Sequence, residues 1–442
     1  MGECQKLSFA DGEKDHAARR PLKPSRFLVS SETSQAGTWA VFSTLTGAVS
    51  AMTSEELEKL FEGSSLGVEA DEALFDDGML VPKDLDEIAL LRRAYQNVKR
   101  GEEAYQLMIC PTLECNFRCP YCYETRVPGF MAPDVQDAVV DFVNRKTSDK
   151  TNRLSVTWYG GEPTLCLKIV ISISERIASI CSANKCDVNF GMITNGYSLD
   201  DEAIKQLAKV HMSTVQITLD GGRETHNKRR HLVNGGGTFD KIVENVIRLS
   251  KAGVFVKVRV NVDKTNLESF EKVCSVFANQ KNVRIYPSIV TSSSNSAHCA
   301  SCFGHGEHNL FYSHFENEVF FPDGLDDLDY GIGPCRAERE ASAIIGPDGL
   351  VYKCLNDVGR PNMHIGTILD DDEVNPQVAA LYLGRDPFTE PECSACEYLP
   401  QCYGGCIWEY HDKGTHACPP EKYYIKSLVN DVVNESQGGD SI

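Results

Sequence analysis

Residues 106–122 read Gln106-Leu-Met-Ile-Cys-Pro-Thr-Leu-Glu-Cys115-Asn-Phe-Arg-Cys119-Pro-Tyr121-Cys122. The stretch Gln106–Pro111 has the apolar density of a buried strand, and a loop carrying three cysteines follows it at once. Three thiolates at this C-x3-C-x2-C spacing can hold three irons of a cubane cluster and leave the fourth iron without a protein ligand. An open coordination position on a metal marks catalysis, as it does on zinc. No histidine or fourth cysteine stands nearby to close a tetrahedral zinc site, so zinc or chance clustering is the weaker reading.

Outward from this loop the chain repeats strand, then helix, over residues 101–290. The predicted strands are Gln106–Pro111, Leu154–Tyr159, Val188–Thr194, Thr214–Leu219, Val254–Val262 and Val283–Ile289. They are rich in Val, Ile and Leu, as strands buried on both faces should be. Between them, Val135, Ala138, Val139, Phe142 and Val143 form one helical stripe, opened by Pro133-Asp134. Ile242, Val243, Val246, Ile247 and Leu249 form another, closed by Gly253. Six such units imply an α/β fold, a partial (β/α)6 TIM-like barrel with its chemistry at the carboxyl ends of the strands.

The flanks differ. Residues 1–100 open with a polar tail and continue with short β segments at Arg26–Ser31, Trp39–Thr44 and Ala48–Thr53. Thr53-Ser-Glu-Glu56 is a capping-box helix start, and a second helix is expected over Asp84–Lys99. Three strands with helices make a small winged-helix-like module, either a packing cap on the next domain or a peptide-docking site. Residues 291–442 are loop-rich and hold nine of the eighteen cysteines. A segment so poor in core needs metal to fold.

A formal net charge of −19 opposes nucleic-acid binding. No apolar run has the ~18 residues of a membrane span and the amino end lacks an apolar signal region, so no membrane partner and a cytoplasmic location are expected. In a reducing compartment clustered thiols are metal ligands before they are disulfides. Cys4, Cys110, Cys166, Cys181, Cys186 and Cys274 stand apart and read as small buried hydrophobes.

The cysteine loop, with Tyr121 before its last thiol, resembles the signature of the radical S-adenosylmethionine (SAM) superfamily. That resemblance implies a [4Fe-4S] cluster on Cys115, Cys119 and Cys122 whose open iron chelates SAM, and reductive cleavage to a 5′-deoxyadenosyl radical that abstracts hydrogen. Gly160-Gly161-Glu162-Pro163, at the end of the second strand, resembles the family's GGEP motif, which implies contact with the methionyl amino group. By the same resemblance Tyr121, Thr194, Asn195, Asp220 and Arg259 are expected at the cofactor, with His226 and Arg230 in a His-x3-Arg position where Asn227 replaces the usual Asp.

Cys335, Cys354, Cys393, Cys396, Cys402, Cys406 and Cys418 resemble in order the SPASM domain, which implies two auxiliary [4Fe-4S] clusters and three in all. The implied sets are Cys335, Cys354 and Cys406 for the first, and Cys393, Cys396, Cys402 and Cys418 for the second; two structural zinc sites are the alternative. Seven thiolates fall short of the eight that two cubanes need, so either Cys299 or Cys302 joins or one iron stays open. Among SPASM proteins the chain looks most like maturases of ribosomally made precursor peptides that install thioether or carbon–carbon crosslinks, served by a flavodoxin- or ferredoxin-type electron donor. Two other functions are weighed. An anaerobic sulfatase maturase usually carries Asp directly after the cysteine matching Cys354, where this chain has Leu355-Asn356-Asp357. An iron–sulfur electron carrier or scaffold without radical chemistry has no need of a Gly-Gly-Glu-Pro cradle. No catalytic acid or base is identifiable from the residues alone.

Overall fold

The computed structural model describes residues 21–147, 150–290, 301–303, 307, 334–370, 372–414 and 416–418, with 422, 425, 426, 429, 430 and 432–434 beyond them. Cys4, Cys299 and the polar amino-terminal tail lie outside the described residues. The described residues fall into two compact units, one holding residues up to Lys99 with Cys335 and those from Asp386 onward, the other residues from Arg100 to Glu307 and from Arg336 to Arg385.

In the first unit, β1 (Leu22–Pro24) pairs antiparallel with β5 (Leu80–Pro82), and β2 (Leu28–Glu32), β3 (Thr38–Ser43) and β4 (Val49–Thr53) form an antiparallel meander. The capping box forms as its sequence dictates. Thr53 Oγ1 accepts from Glu56 N at 3.3 Å, and Glu56 Oε2 accepts from Thr53 N at 2.8 Å, at the start of α1 (Ser54–Glu62). A further helix, α2 (Val68–Asp76), was not foreseen: it starts at Gly67 with no side-chain cap. Helix α3 (Glu87–Arg100) begins later than residue 84 because Asp86 Oδ1 accepts from Ala89 N at 3.0 Å and caps it. Phe27, Leu45, Leu91 and Tyr95 share a buried cluster with Phe388, Leu399 and Tyr403, so the cysteine-rich end borrows its core from this module.

The second unit is mixed α/β around a mostly parallel sheet. Six parallel strands stand in chain order: β6 (Ala104–Ile109), β7 (Arg153–Trp158), β8 (Asp187–Thr194), β9 (Met212–Leu219), β10 (Phe255–Val262) and β11 (Val283–Ile289). The connecting helices are α4 (Pro133–Thr147), α5 (Leu167–Ala183), α6 (Asp201–Lys209), α7 (Arg223–Arg229), α8 (Phe239–Lys251) and α9 (Phe270–Phe277).

Burial on both faces was expected of these strands, and the structure corrects it. In β10, Val256, Val258, Val260 and Val262 are fully buried, while Lys257, Arg259 and Asn261 between them are not. The sheet therefore has one apolar face and one that carries polar groups, which suits a barrel whose interior receives a polar ligand. The sheet also runs on past residue 290. Strand β12 (Ser342–Ile345) pairs in parallel with β6, Ile345 opposite Ile109, and β13 (Leu350–Tyr352) and β14 (Gly366–Thr367) extend it antiparallel. Cys110, Cys166, Cys181 and Cys186 are buried, as isolated cysteines should be, whereas Cys274 is half-buried.

Candidate active site and metal centres

The cysteine loop leaves the carboxyl end of β6 and is fastened at both edges. Thr112 Oγ1 donates to Gly129 O at 2.7 Å, and Gly129 N donates to Glu114 Oε1 at 2.8 Å. On the other side Arg118 N donates to His231 O at 3.0 Å and Val233 N to Asn116 O at 3.0 Å. Phe117 N donates to Cys115 Sγ at 3.4 Å and Asn195 Nδ2 approaches the same sulfur at 3.9 Å. Cys115, Cys119 and Cys122 are all half-buried. Burial pushes the Cys115 thiol up to about 12 and raises those of Cys119 and Cys122 as well. Three thiols so placed hold their protons unless a cation is bound, and iron would supply that charge. The donor set fits a cluster on this loop.

Gly160 and Gly161 have a specific reason to be glycine. A β-carbon on Gly160, whose φ is +111°, would lie 2.3 Å from Thr112 O, and one on Gly161 would lie 2.2 Å from Glu114 O. The turn after β7 thus packs backbone against backbone on the cysteine loop, and Gly161 N donates to Thr112 O at 3.1 Å. What these glycines admit is the loop that carries the thiols.

Glu162, buried, ends this turn. Its Oε1 accepts from Thr164 N (2.9 Å), Thr164 Oγ1 (2.5 Å) and Thr194 Oγ1 (2.6 Å), and its Oε2 from Asn195 N (2.7 Å). It ties the ends of β7 and β8 together through most of its roughly four lone-pair sites, and Pro163 starts the short 3-10 turn Pro163–Cys166. Asn195 also bonds the loop, its Nδ2 donating to Asn116 Oδ1 at 2.7 Å.

Tyr121, Asp220 and the two arginines form a second knot. Tyr121 donates to Asp220 Oδ2 at 2.5 Å and accepts from Arg230 Nη1 at 2.8 Å and from Asn261 Nδ2 at 3.3 Å. Arg229 donates from Nε to Asp220 Oδ2 (3.0 Å) and from Nη1 to Asp263 Oδ2 (2.7 Å), with its guanidinium 5.2 Å from the Tyr121 ring centre. Arg259 joins through Asn261, donating from Nε to Asn261 Oδ1 at 2.9 Å. Asp220 Oδ1, Arg229 Nη2 and Arg230 Nε are buried with no hydrogen-bond partner. Such orphans cost about 1–3 kcal/mol each and mark the place of a ligand or water. A zwitterionic ligand such as SAM would satisfy donors and acceptor alike.

His226 serves the fold. Fully buried, it accepts at Nδ1 from Asp220 N (3.3 Å), and Nε2 lies 2.9 Å from Thr238 Oγ1. Thr238 Oγ1 already donates to Arg230 O, so Nε2 carries the proton. Burial, with Arg230 and Arg229 nearby, holds the imidazole well below its ordinary pKa. Asn227 Oδ1 accepts from Thr238 N (2.8 Å) and Phe239 N (2.9 Å) and so caps α8, a task that needs no negative charge.

Several residues here gave no signal in the sequence. Arg229 is hidden beside Arg230. Asn261 and Asp263 follow Arg259 without a motif. Tyr123 and Tyr159 meet at 2.5 Å, and burial raises the Glu124 carboxyl to about 7 against a hydrogen bond from Tyr159 that lowers it.

In the first unit Cys396, Cys402 and Cys418 gather. Burial pushes Cys402 up to about 11, helped by the charges of Cys396 and Cys418 and opposed by a hydrogen bond from the Gly404 amide. Tyr403, Gly404 and Gly405, at φ +44°, +91° and +75°, form a run of positive-φ residues, and the amides of Tyr403 and Gly405 donate to Leu399 O and Cys402 O. Cys393 stands with Glu390 and His416, ligand atoms within 4.8 Å of one another. Cys335 and Cys406 are exposed and belong to this unit, whereas Cys354, half-buried, belongs to the other, where Cys302 is buried and disulfide-bonded rather than the free thiol an eighth ligand would need. Asp357 is fully buried and accepts from Tyr382.

Comparison with known proteins agrees with this chemistry. Residues 109–276 match the family model of the Radical SAM superfamily. The cysteine-type anaerobic sulfatase-maturating enzyme of Clostridium novyi is 24% identical over 332 residues, 66% of this chain and 84% of its own length. The structure of anSMEcpe with bound AdoMet and Cp18Cys peptide has a TM-score of 0.57 at 20% identity and covers 75% of this chain and 99% of its own. The structure of Streptococcus suis SuiB bound to the precursor peptide SuiA has a TM-score of 0.54 at 12% identity and covers 89% and 97%.

Two outcomes follow from the geometry. G161A drives a methyl group into Glu114 O, so anaerobically reconstituted G161A should lose iron relative to wild type, read by iron analysis and the visible absorption of the cluster. The unfolded chain takes up the His226 proton below about pH 6.5 while the native imidazole stays neutral, so stability falls as pH drops from 7 to 5. H226Q, which keeps a donor toward Thr238, should flatten that decline in urea midpoints measured at several pH values.

Proposed function

Starting from a chain that carries a radical SAM domain at residues 109–276, we propose that it is a maturase of ribosomally made peptides. Its reaction would be hydrogen abstraction from the precursor followed by crosslinking, with a thioether favoured. The single observation behind the chemistry is the half-buried thiol loop, locked by Gly160-Gly161 and set beside the orphaned Asp220, Arg229 and Arg230 atoms. A four-iron cluster together with SAM supplies, when bound, reductive cleavage to a 5′-deoxyadenosyl radical.

The residues divide the remaining work. Cys115, Cys119 and Cys122 would hold the cluster. Asp220 Oδ1 and the free edges of Arg229 and Arg230 would receive the charged and polar groups of SAM, with Tyr121 held flat by Arg229. Gly160, Gly161, Glu162 and Pro163, with Thr194 and Asn195, would set the loop's height above the strand ends, and Arg259 would lie on the polar face that the substrate enters. We place two auxiliary [4Fe-4S] clusters in a SPASM-type carboxyl-terminal region, on Cys335, Cys354 and Cys406 and on Cys393, Cys396, Cys402 and Cys418. The winged-helix-like amino-terminal module would dock the leader, and a flavodoxin- or ferredoxin-type donor would supply electrons in the cytoplasm. No helix among the described residues is long and apolar enough to cross a membrane.

A peptide substrate is supported by similar proteins solved with peptides bound, anSMEcpe with the Cp18Cys peptide and SuiB with the precursor peptide SuiA. The similarity to SuiB also reaches over more of this chain than that to anSMEcpe, 89% against 75%. Formylglycine formation is the second reading, favoured by the Clostridium novyi relative. Against it, Leu355 stands where an Asp is usual, and Asp357 is sealed by Tyr382.

The test is direct. Protein reconstituted without oxygen should bind ~12 irons if all three clusters are cubanes and should release 5′-deoxyadenosine with dithionite and SAM. C115A/C119A/C122A should release none. Mass spectrometry of a cysteine-bearing precursor peptide should show loss of two hydrogens; an aldehyde at cysteine would establish the second reading, and intact SAM would leave only an electron carrier.

A further inference from the structure

Beyond the ligands themselves, the arrangement around Cys393 carries information. Cys393 Sγ lies 3.5 Å from Glu390 Oε2 and 3.7 Å from His416 Nδ1, and Nδ1 lies 3.5 Å from the same carboxylate oxygen. As a thiol, Cys393 donates to Glu390. As an iron ligand it has no proton to give, and a thiolate would then stand 3.5 Å from a half-buried carboxylate. Two anions at that distance repel strongly away from bulk water. His416 Nδ1 lies within reach of both acceptors, so an N–H at that position faces the sulfur and the carboxylate together. The Tyr410 ring packs against the imidazole, its centroid 5.2 Å from that of His416.

We propose that His416 is a positioning residue that donates its Nδ1–H to the Cys393 thiolate, shared with Glu390, and thereby sets the reduction potential of the cluster bound there. The inference rests on Cys393 being a cluster ligand. Hydrogen bonds to ligand sulfur stabilise the more negative, reduced cluster and raise its potential, while a nearby carboxylate lowers it. The two partners therefore pull in opposite directions.

The experiment is a redox titration of the reconstituted full-length protein followed by low-temperature electron paramagnetic resonance, with iron and zinc counted on every sample. H416L should keep wild-type iron and shift one cluster's midpoint to more negative potential, H416N should restore it by keeping an N–H, and E390Q should shift the same midpoint to more positive potential. Unchanged midpoints in H416L and E390Q would overturn the proposal. Loss of iron in both H416L and H416N would overturn it too, by making His416 a ligand or a folding requirement. A C393A variant separates the two levels: if it retains all the iron of wild type, or if wild type carries zinc at Cys393, the ligand assignment fails, whatever His416 does.

Discussion

The site depends on one close contact, the turn Gly160-Gly161 lying directly on the backbone of Thr112–Glu114. With β-carbons excluded to 2.3 Å and 2.2 Å, no other residue lets the end of β7 touch the cysteine loop. That contact fixes the height of three thiols above the sheet. Glu162 continues the same constraint sideways by tying β7 to β8 through Thr194 and Asn195, and Asn195 returns to the loop through Asn116. A short sequence motif thus does mechanical work first, and any contact with a cofactor is built on that frame.

Electrostatics set the second layer. The loop buries sulfur, which favours protonated thiols until a cation arrives. Around Tyr121 the chain concentrates Asp220, Asp263, Arg229 and Arg230, leaving three polar atoms buried without partners. Native proteins seldom leave such atoms together, and each costs stability unless a further group satisfies it. His226 and Asn227 keep this layer rigid without adding charge, one as a neutral imidazole and the other as a helix cap.

Much of this was legible in the residues. The strand at Val283–Ile289 was read to the residue, and the others within two, because dense β-branched runs between helical stripes leave little choice. The capping box at Thr53 was local and therefore readable. What escaped depends on tertiary placement. The polar face of β10 needs the knowledge that helices cover only the other side, and the pairing of β12 with β6 spans more than two hundred residues of chain. Arg229 looked like any exposed arginine, and only the fold brings it between Asp220 and Asp263. Asp357, two residues past the position where a sulfatase maturase carries its Asp, is closed off by Tyr382, which only the fold brings to it.

The claim that joins these layers is that the loop iron left without a thiolate binds SAM. Low-temperature electron paramagnetic resonance of the dithionite-reduced protein, recorded with and without SAM, tests it most directly. One cluster signal should change its g values when SAM is added, and that change should vanish in C115A/C119A/C122A. A spectrum indifferent to SAM, or a loop that holds zinc, would contradict the account.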